Sequence, residues 1–252
     1  LATIREWTPK LARRLGVVGL LNMQYAVMPD GTPYIIEANP RASRTVPFVS
    51  KAIGHPLAKY ASLVMAGQSL EEIGFMQEPI TKHISVKEAV LPFDKFLGCD
   101  TLLGPEMRST GEVMGIDFDF ERAYCKAQIA AGQKLPKSGK VFISVKNSDK
   151  EAMVPVAKNL VDMGFEILST GGTATTLESA GIKVTKVKKI HEGRPNIGDI
   201  LRDGDLKLMF VTSSGDANDL TDGRELRRTA VGLKVPICTT VAGIKATACS
   251  FR

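Results

Sequence analysis

The chain has 252 residues, 44% of them hydrophobic, which is enough for one large domain or two ordinary ones with real cores. No apolar run nears the ~20 residues that span a bilayer. There is no signal-peptide pattern, and the four cysteines (Cys99, Cys125, Cys238, Cys249) make no C-x-x-C pair. A membrane protein, a zinc module and a disulfide scaffold are therefore set aside, and free, mostly buried thiols in a reducing cytoplasm are expected. The net charge of +6 is uneven, with 15 basic and 14 acidic residues in 1–136 against 18 and 13 in 137–252. With few aromatics among the basic residues, that excess favours a small anionic ligand in the second half over nucleic acid. The start at Leu1, in a helix-like run, suggests a piece of a longer protein.

In chain order, residues 3–15 are predicted to form a helix with Arg and Lys on one side. Residues 17–27 and 33–38 read as strands around "MPDGTP". Residues 47–66 read as helical, broken at "GHP"; 82–116 as irregular or strand-like; and 119–131 as a helix. The small, polar, basic stretch "AGQKLPKSGK" reads as a linker and divides 1–136 from 137–252. Beyond it, strands and helices alternate. "KVFISV" precedes a helix over 149–163, with Ser148 or Asp149 as its cap. "FEILST" precedes a helix starting near 173, and "IKVTKV" comes next. "LKLMFVT" precedes a helix over 220–233, and "VPICTT" a last helical stretch. This alternation predicts an α/β fold with a parallel sheet covered on both faces.

The stretch "YIIEANPRASRTVPF" follows two isoleucines with Glu37, Asn39, Arg41 and Arg44. If Asp30-Gly31 is a two-residue hairpin turn, paired residues have numbers summing to 61. Asn22, Gln24, Glu37 and Asn39 then share one face, and Leu21, Met23, Tyr25, Ile36 and Ala38 the other, core-like one. Oxygen donors in that patch suit Mg²⁺ with substrate phosphates. Two adjacent guanidiniums suit phosphate oxygens. A hairpin with one merely solvated face is the competing interpretation.

"LLNMQYAV", "PYIIEANPRASRTVPFVSKAIGHPLAKYA", "SVKEAVLPFDKF" and "LGPEMRSTGEVMG" together resemble the metal-binding end of an ATP-grasp domain. More narrowly, they resemble the second ATP-grasp unit of the carbamoyl-phosphate synthase large chain, and the likeness runs on through the linker. The resemblance implies that 1–136 hold the C-terminal part of an α+β ATP-grasp synthetic unit and a following segment. It implies Gln24, Glu37 and Asn39 as ligands of Mg²⁺ or Mn²⁺ and of the nucleotide phosphates, and Arg41 and Arg44 as catalytic contacts to the transferred phosphoryl group. It further implies ATP-dependent phosphorylation of carbamate to carbamoyl phosphate, for pyrimidine and arginine biosynthesis. A glutaminase small subunit as partner, a homo-oligomer and a cytoplasmic location follow from the same resemblance. The strands that would hold the adenine lie before Leu1 in that family, so the chain alone is expected to be inactive.

In "FEILSTGGTATTL", Thr170-Gly171-Gly172-Thr173 falls between a strand and a helix. Glycines admit an anion, and a helix start presents free N–H groups and a positive dipole end. "FVTSSGD" repeats the chemistry at another strand end, and Lys150 and Lys189 could reach in. Ordinary turn chemistry is the alternative. "STGGTA", "KKIHEGRPNIGDIL" and "VTSSGD" resemble the methylglyoxal-synthase-like regulatory domain of the same large chain. That resemblance implies Ser144, Lys150, Thr170, Thr173, Lys189, Thr212 and Ser213 as the effector-phosphate site, for a nucleotide such as UMP or IMP. Val211 stands where bacterial members commonly have asparagine. Glu88 and Thr239 match ornithine-contacting positions of some members, but Ile237 and Cys238 replace polar residues there, against ornithine control.

A stand-alone phosphorylated-ligand sensor without catalysis is the alternative function; a retained Gln24, Glu37 and Asn39 argues against it. A methylglyoxal-synthase-type lyase could use Asp199, but the later stretch "GDANDLTDG" has no histidine. His191 is expected to serve structural hydrogen bonding rather than catalysis.

Overall fold

The computed structural model describes residues 1–90, 111–213, 215 and 217–251, the side chains of 217–220 excepted. Contacts gather into two compact units, Leu1–Lys82 and His83–Arg252. In the first, α1 (Ala2–Arg14) leads to a hairpin of β1 (Asn22–Val27) and β2 (Pro33–Asn39), then to α2 (Thr45–Ile53), α3 (Leu57–Met65) and α4 (Leu70–Ile73). The break at "GHP" has a plain cause. Gly54 ends α2 in the left-handed conformation at φ 71°, and Pro56 stands just before α3. The short α4 has no counterpart among the predicted elements, although Ser69 and Glu72 form a reciprocal capping box that its sequence spells out.

The hairpin keeps the expected pairs by an unexpected route. Its loop has three residues, Pro29-Asp30-Gly31. The Gly31 N–H donates to the Met28 carbonyl at 2.9 Å, and the Met28 N–H to the Thr32 carbonyl at 3.0 Å. Gly31 supplies the positive φ, +88°, that such a loop demands. That extra residue pairs Tyr25 with Ile35 and Val27 with Pro33. Carried along the strand, a one-residue slip would exchange the two faces. A bulge at Ile36 cancels it, so Gln24 still pairs with Glu37 and Asn22 with Asn39. The apolar face changes as a result: Ile36, expected to face a core, is 62% exposed.

The second unit begins with β3 (Ile84–Val90) and β4 (Gly111–Asp117), an antiparallel pair covered by α5 (Phe120–Ala130). The "LPFDKF" and "LGPEMRST" portions of the family-like motifs lie outside the described residues. Ala123 and Ala127 of α5 are fully buried. The helix lies so close to β4 that a Cβ on Gly115 would fall 1.9 Å from the Ala123 carbonyl oxygen. The Tyr124 hydroxyl reaches Thr247 at 3.3 Å. β3, β4 and α5 therefore pack with the remainder of the second unit, and 131–140 connects parts of one unit. Along the chain, the division between the compact units falls at 82/83.

The rest is β5 (Gly139–Ser144), α6 (Lys150–Asp162), β6 (Phe165–Ser169), α7 (Gly171–Ser179), β7 (Val184–Lys186), α8 (Ile197–Arg202), β8 (Leu206–Val211), α9 (Ala217–Gly232), β9 (Ile237–Cys238) and α10 (Val241–Cys249). The sheet is parallel throughout, in the order β7-β6-β5-β8-β9. Alternation along β5 divides the core. Val141 and Ile143 pack with Met153, Leu160, Leu177 and Ile244 on one face, and Phe142 packs with Ile197, Leu201 and Leu226 on the other. Burying each such side chain contributes roughly 1.5–3 kcal/mol. The doubly wound sheet is as expected. From β5 the chain winds outward through β6 and β7 on one side, then returns to place β8 and β9 on the other. The carboxyl ends of β5 and β8 thus flank a topological switch point, where such sheets leave a crevice.

Candidate functional site

That crevice is a cleft of about 490 Å³, and Ser144, Lys150, Thr170, Thr173, Lys189, Thr212 and Ser213 all line it. The fold gathers these seven from the ends of β5, β6 and β8, the starts of α6 and α7, and the 188–192 turn. At its floor, Thr170 is extended (φ −82°, ψ 156°) and does not cap α7 with its side chain; its hydroxyl pairs with that of Ser144 at 2.7 Å. Ala174 donates the first intrahelical bond, to the Thr170 carbonyl at 2.8 Å. The N–H groups of Gly171, Gly172 and Thr173 therefore have no acceptor within the helix. Two glycines are poor helix formers, but here they leave that fan of donors uncovered. The Lys150 ammonium comes in over it: a Cβ on Gly172 would lie 2.6 Å from Lys150 Nζ. An ammonium and a helix N-terminus meeting at one point suit a phosphate group.

Two of the cleft's hydroxyls are already engaged within the protein. Thr173, 2% exposed, donates to the Val145 carbonyl at 3.3 Å and accepts the Val145 N–H at 3.2 Å. Its hydroxyl braces the residue after β5 against α7, with its one proton given to the Val145 carbonyl. The Thr212 hydroxyl is likewise engaged, with Asp149 at 2.8 Å and the Lys146 N–H at 3.0 Å. Asp149, expected as a cap, makes no side-chain capping bond at the head of α6. In the sequence it is visible only as a helix-start signal. Its tie to Thr212 spans 63 positions and emerges only once β5 and β8 are neighbours.

His191 Nδ1 lies 2.7 Å from Asp222 Oδ2, and its N–H donates to the same oxygen at 3.3 Å, so the histidine pins the 190–192 turn to α9. Asp199 does not line the cleft. Arg194, with Asn196 N–H and Arg202, holds its carboxyl below the usual carboxylate range. Its carboxyl is engaged by Arg194 and the Asn196 N–H away from the cleft lining, which weakens the lyase alternative further.

A second cleft of about 190 Å³ in the same unit is lined by Glu88, Tyr124, Gln128, Cys238, Thr239 and Thr240, among others. The Cys238 thiol meets the Thr247 hydroxyl at 3.2 Å, and burial pushes its pKa up. Cys125, Cys238 and Cys249 are half-buried; Cys99 is outside the described residues. Burial also raises the Glu88 carboxyl. A carboxyl raised in the folded state favours folding below its unfolded pKa, and that contribution is lost as pH rises through the raised value. Glu88→Gln should therefore raise the melting temperature at pH 7, with the gain shrinking to nothing as the pH falls below the ordinary carboxylate range. A pH series of thermal melts checks the sign.

In the first unit, the register places Gln24 directly across from Glu37 and Asn22 across from Asn39. Asn39 Nδ2 donates to Glu37 Oε1 at 2.9 Å, which leaves Asn39 Oδ1 as an acceptor. The chain then turns sharply, with the Arg41 N–H on the Asn39 carbonyl at 2.8 Å and Arg44 just before α2. Among the described residues no group of three His, Cys, Asp or Glu could hold a metal. One carboxylate with two carboxamides fits a hard cation that draws its remaining ligands from nucleotide phosphates. Among the described residues, no helix is long and apolar enough to cross a membrane.

Residues 1–73 match the family described as carbamoyl-phosphate synthase L chain, ATP binding domain, and residues 152–239 the MGS-like domain. The arginine-specific carbamoyl phosphate synthase large chain, chloroplastic, of Oryza sativa subsp. japonica is 61% identical over 244 residues, covering 97% of this chain and 21% of that protein. The carbamoyl phosphate synthase large chain of Synechocystis sp. is 56% identical over 253 residues, covering 100% of this chain and 23% of that protein. That of Methanosarcina barkeri is 49% identical over 249 residues, covering 99% of this chain and 62% of that protein. The chain thus spans 21% to 23% of the length of the rice and Synechocystis proteins.

Proposed function

We propose that this chain is the C-terminal portion of a carbamoyl-phosphate synthase large chain and joins one side of a synthetic site to an effector-binding domain. The whole enzyme would be a glutamine-dependent, ATP-dependent ligase that phosphorylates carbamate to carbamoyl phosphate for pyrimidine and arginine biosynthesis. It would be partnered by a glutaminase small subunit and assembled as a homo-oligomer. Residues 1–136 would serve the synthetic unit. Gln24, Glu37 and Asn39 would hold Mg²⁺ or Mn²⁺ against the ATP phosphates, with the metal supplying neutralising charge. Arg41 and Arg44 would steady the transferring phosphoryl group, a reaction governed by positioning and positive charge. Residues 137–252 would bind a nucleotide effector such as UMP or IMP. The compartment would be the cytoplasm, or a chloroplast as for the chloroplastic rice relative.

The observation that carries the effector reading is the convergence of Lys150 and the uncapped α7 N-terminus in the cleft at the switch point. Calorimetric titration of the 252-residue chain tests it. UMP or IMP should bind while Mg-ATP does not, since one hairpin is a fraction of an ATP site. Tight Mg-ATP binding with silence for both monophosphates would put the working site in the other unit. The stand-alone sensor draws no support from the relatives, which are named as synthase chains.

A further inference from the structure

Thr212 lines the cleft at the end of β8, and chemistry alone assigns its bonds. Its N–H donates to the Ser144 carbonyl at 3.2 Å. Its Oγ1 accepts the Lys146 N–H at 3.0 Å and lies 2.8 Å from Asp149 Oδ2. An amide N–H only donates and a carboxylate only accepts, so the single hydroxyl proton of Thr212 points at Asp149. One lone pair remains for a ligand. In that state Thr212 attracts an O–H or N–H and repels a phosphate oxygen, which has no proton to share.

Asp149 is well placed to impose this. Its side chain is 14% exposed, with the Lys146 ammonium 4.0 Å away. Its other oxygen accepts the Ser148 hydroxyl at 2.9 Å. It stands behind the residues that line the cleft and is not one of them. The cleft therefore has two regions of opposite hydrogen-bonding sense: donors at the α7 N-terminus and Lys150, and an acceptor at Thr212.

Given that the cleft takes a phosphate ester, as proposed above, we infer that Asp149 is a positioning residue that turns Thr212 into an acceptor. It thereby selects phosphate esters carrying a hydroxyl or N–H donor over inorganic phosphate. The test is the ratio of affinities for UMP and inorganic phosphate, measured by calorimetry on the 252-residue chain. Asp149→Ala frees the Thr212 proton to face the cleft, and the ratio should fall about tenfold, the worth of one such hydrogen bond. Asp149→Asn removes the same charge but keeps an amide oxygen to accept that proton, and the ratio should stay within about threefold of wild type. Comparing the two variants cancels the general effect of a lost negative charge.

A ratio unchanged in Asp149→Ala, or lowered equally in both variants, overturns the inference. Should Asp149→Ala not fold, Thr212→Val decides in its place. It should weaken UMP about tenfold and leave inorganic phosphate unchanged; equal weakening of both overturns the assignment. A wild-type chain that binds neither ligand overturns the phosphate-ester site itself, an outcome distinct from the others.

Discussion

Lys150→Gln should weaken UMP or IMP binding by about tenfold to a hundredfold, the range for losing one charge-assisted hydrogen bond to phosphate. Stability should barely change, because Lys150 begins α6 and its ammonium reaches over Gly172 at the mouth of α7. Gly172→Ala sharpens the test. The added Cβ would sit 2.6 Å from Lys150 Nζ, a flexible end that can move aside. Folding is then spared, and alanine outranks glycine in a helix. The cost falls on the ligand, since the methyl displaces the ammonium and covers the N–H fan. Calorimetry paired with thermal melts should show affinity falling while the melting temperature holds or rises. Unchanged affinity in both variants would move the phosphate away from the α7 N-terminus.

Gly115→Ala should have the largest effect on stability. A Cβ there would lie 1.9 Å from the Ala123 carbonyl oxygen and 2.6 Å from the Ala127 nitrogen. Those are backbone atoms of α5, so no rotamer change relieves the clash and the helix must lift from β4. Overpacking typically costs about 1–3 kcal/mol, and a clash against backbone belongs at the upper end; in a unit of this size about 3 kcal/mol is roughly 6–12 °C in melting temperature. Lifting α5 also moves Tyr124 away from Thr247 and opens the cleft beside Glu88. Thermal denaturation measures the first effect, and Tyr124 fluorescence in a single-tyrosine background the second. A shift under about 2 °C, less than even a 1 kcal/mol loss would produce, would mean that α5 does not pack on Gly115 in solution.

Much of the second unit was legible from local pattern. Apolar runs such as "KVFISV" and "LKLMFVT", spaced by helix-length segments, announce a parallel sheet, because strands buried on both faces must be continuously apolar. The hairpin was legible only in part. Its metal-facing pairs were obtained from a two-residue turn, whereas the chain combines a three-residue loop with a bulge at Ile36. Each shifts the register by one and the two cancel; neither has a strong local signature. The stretch at 131–140 shows a related limit of local reading. Pro and Gly mark a change of direction, and nothing local to them shows that α5 will bury Ala123 and Ala127 against a strand of the same unit.

By itself the sequence determined most of the elements, the doubly wound sheet and a family likeness, and through that likeness it pointed to the seven residues that line the cleft. Each comes from properties read within a few residues of one position: periodicity, turn chemistry and motif. Only the tertiary structure decided what those residues can do. Thr173 and Thr212 carry ordinary hydroxyls in the sequence, yet their protons go to the Val145 carbonyl and to Asp149. Lys150 and Gly172 are 22 positions apart, yet they meet at one helix end. A hydroxyl has one proton to give, and which acceptor receives it depends on which strand ends the fold brings together.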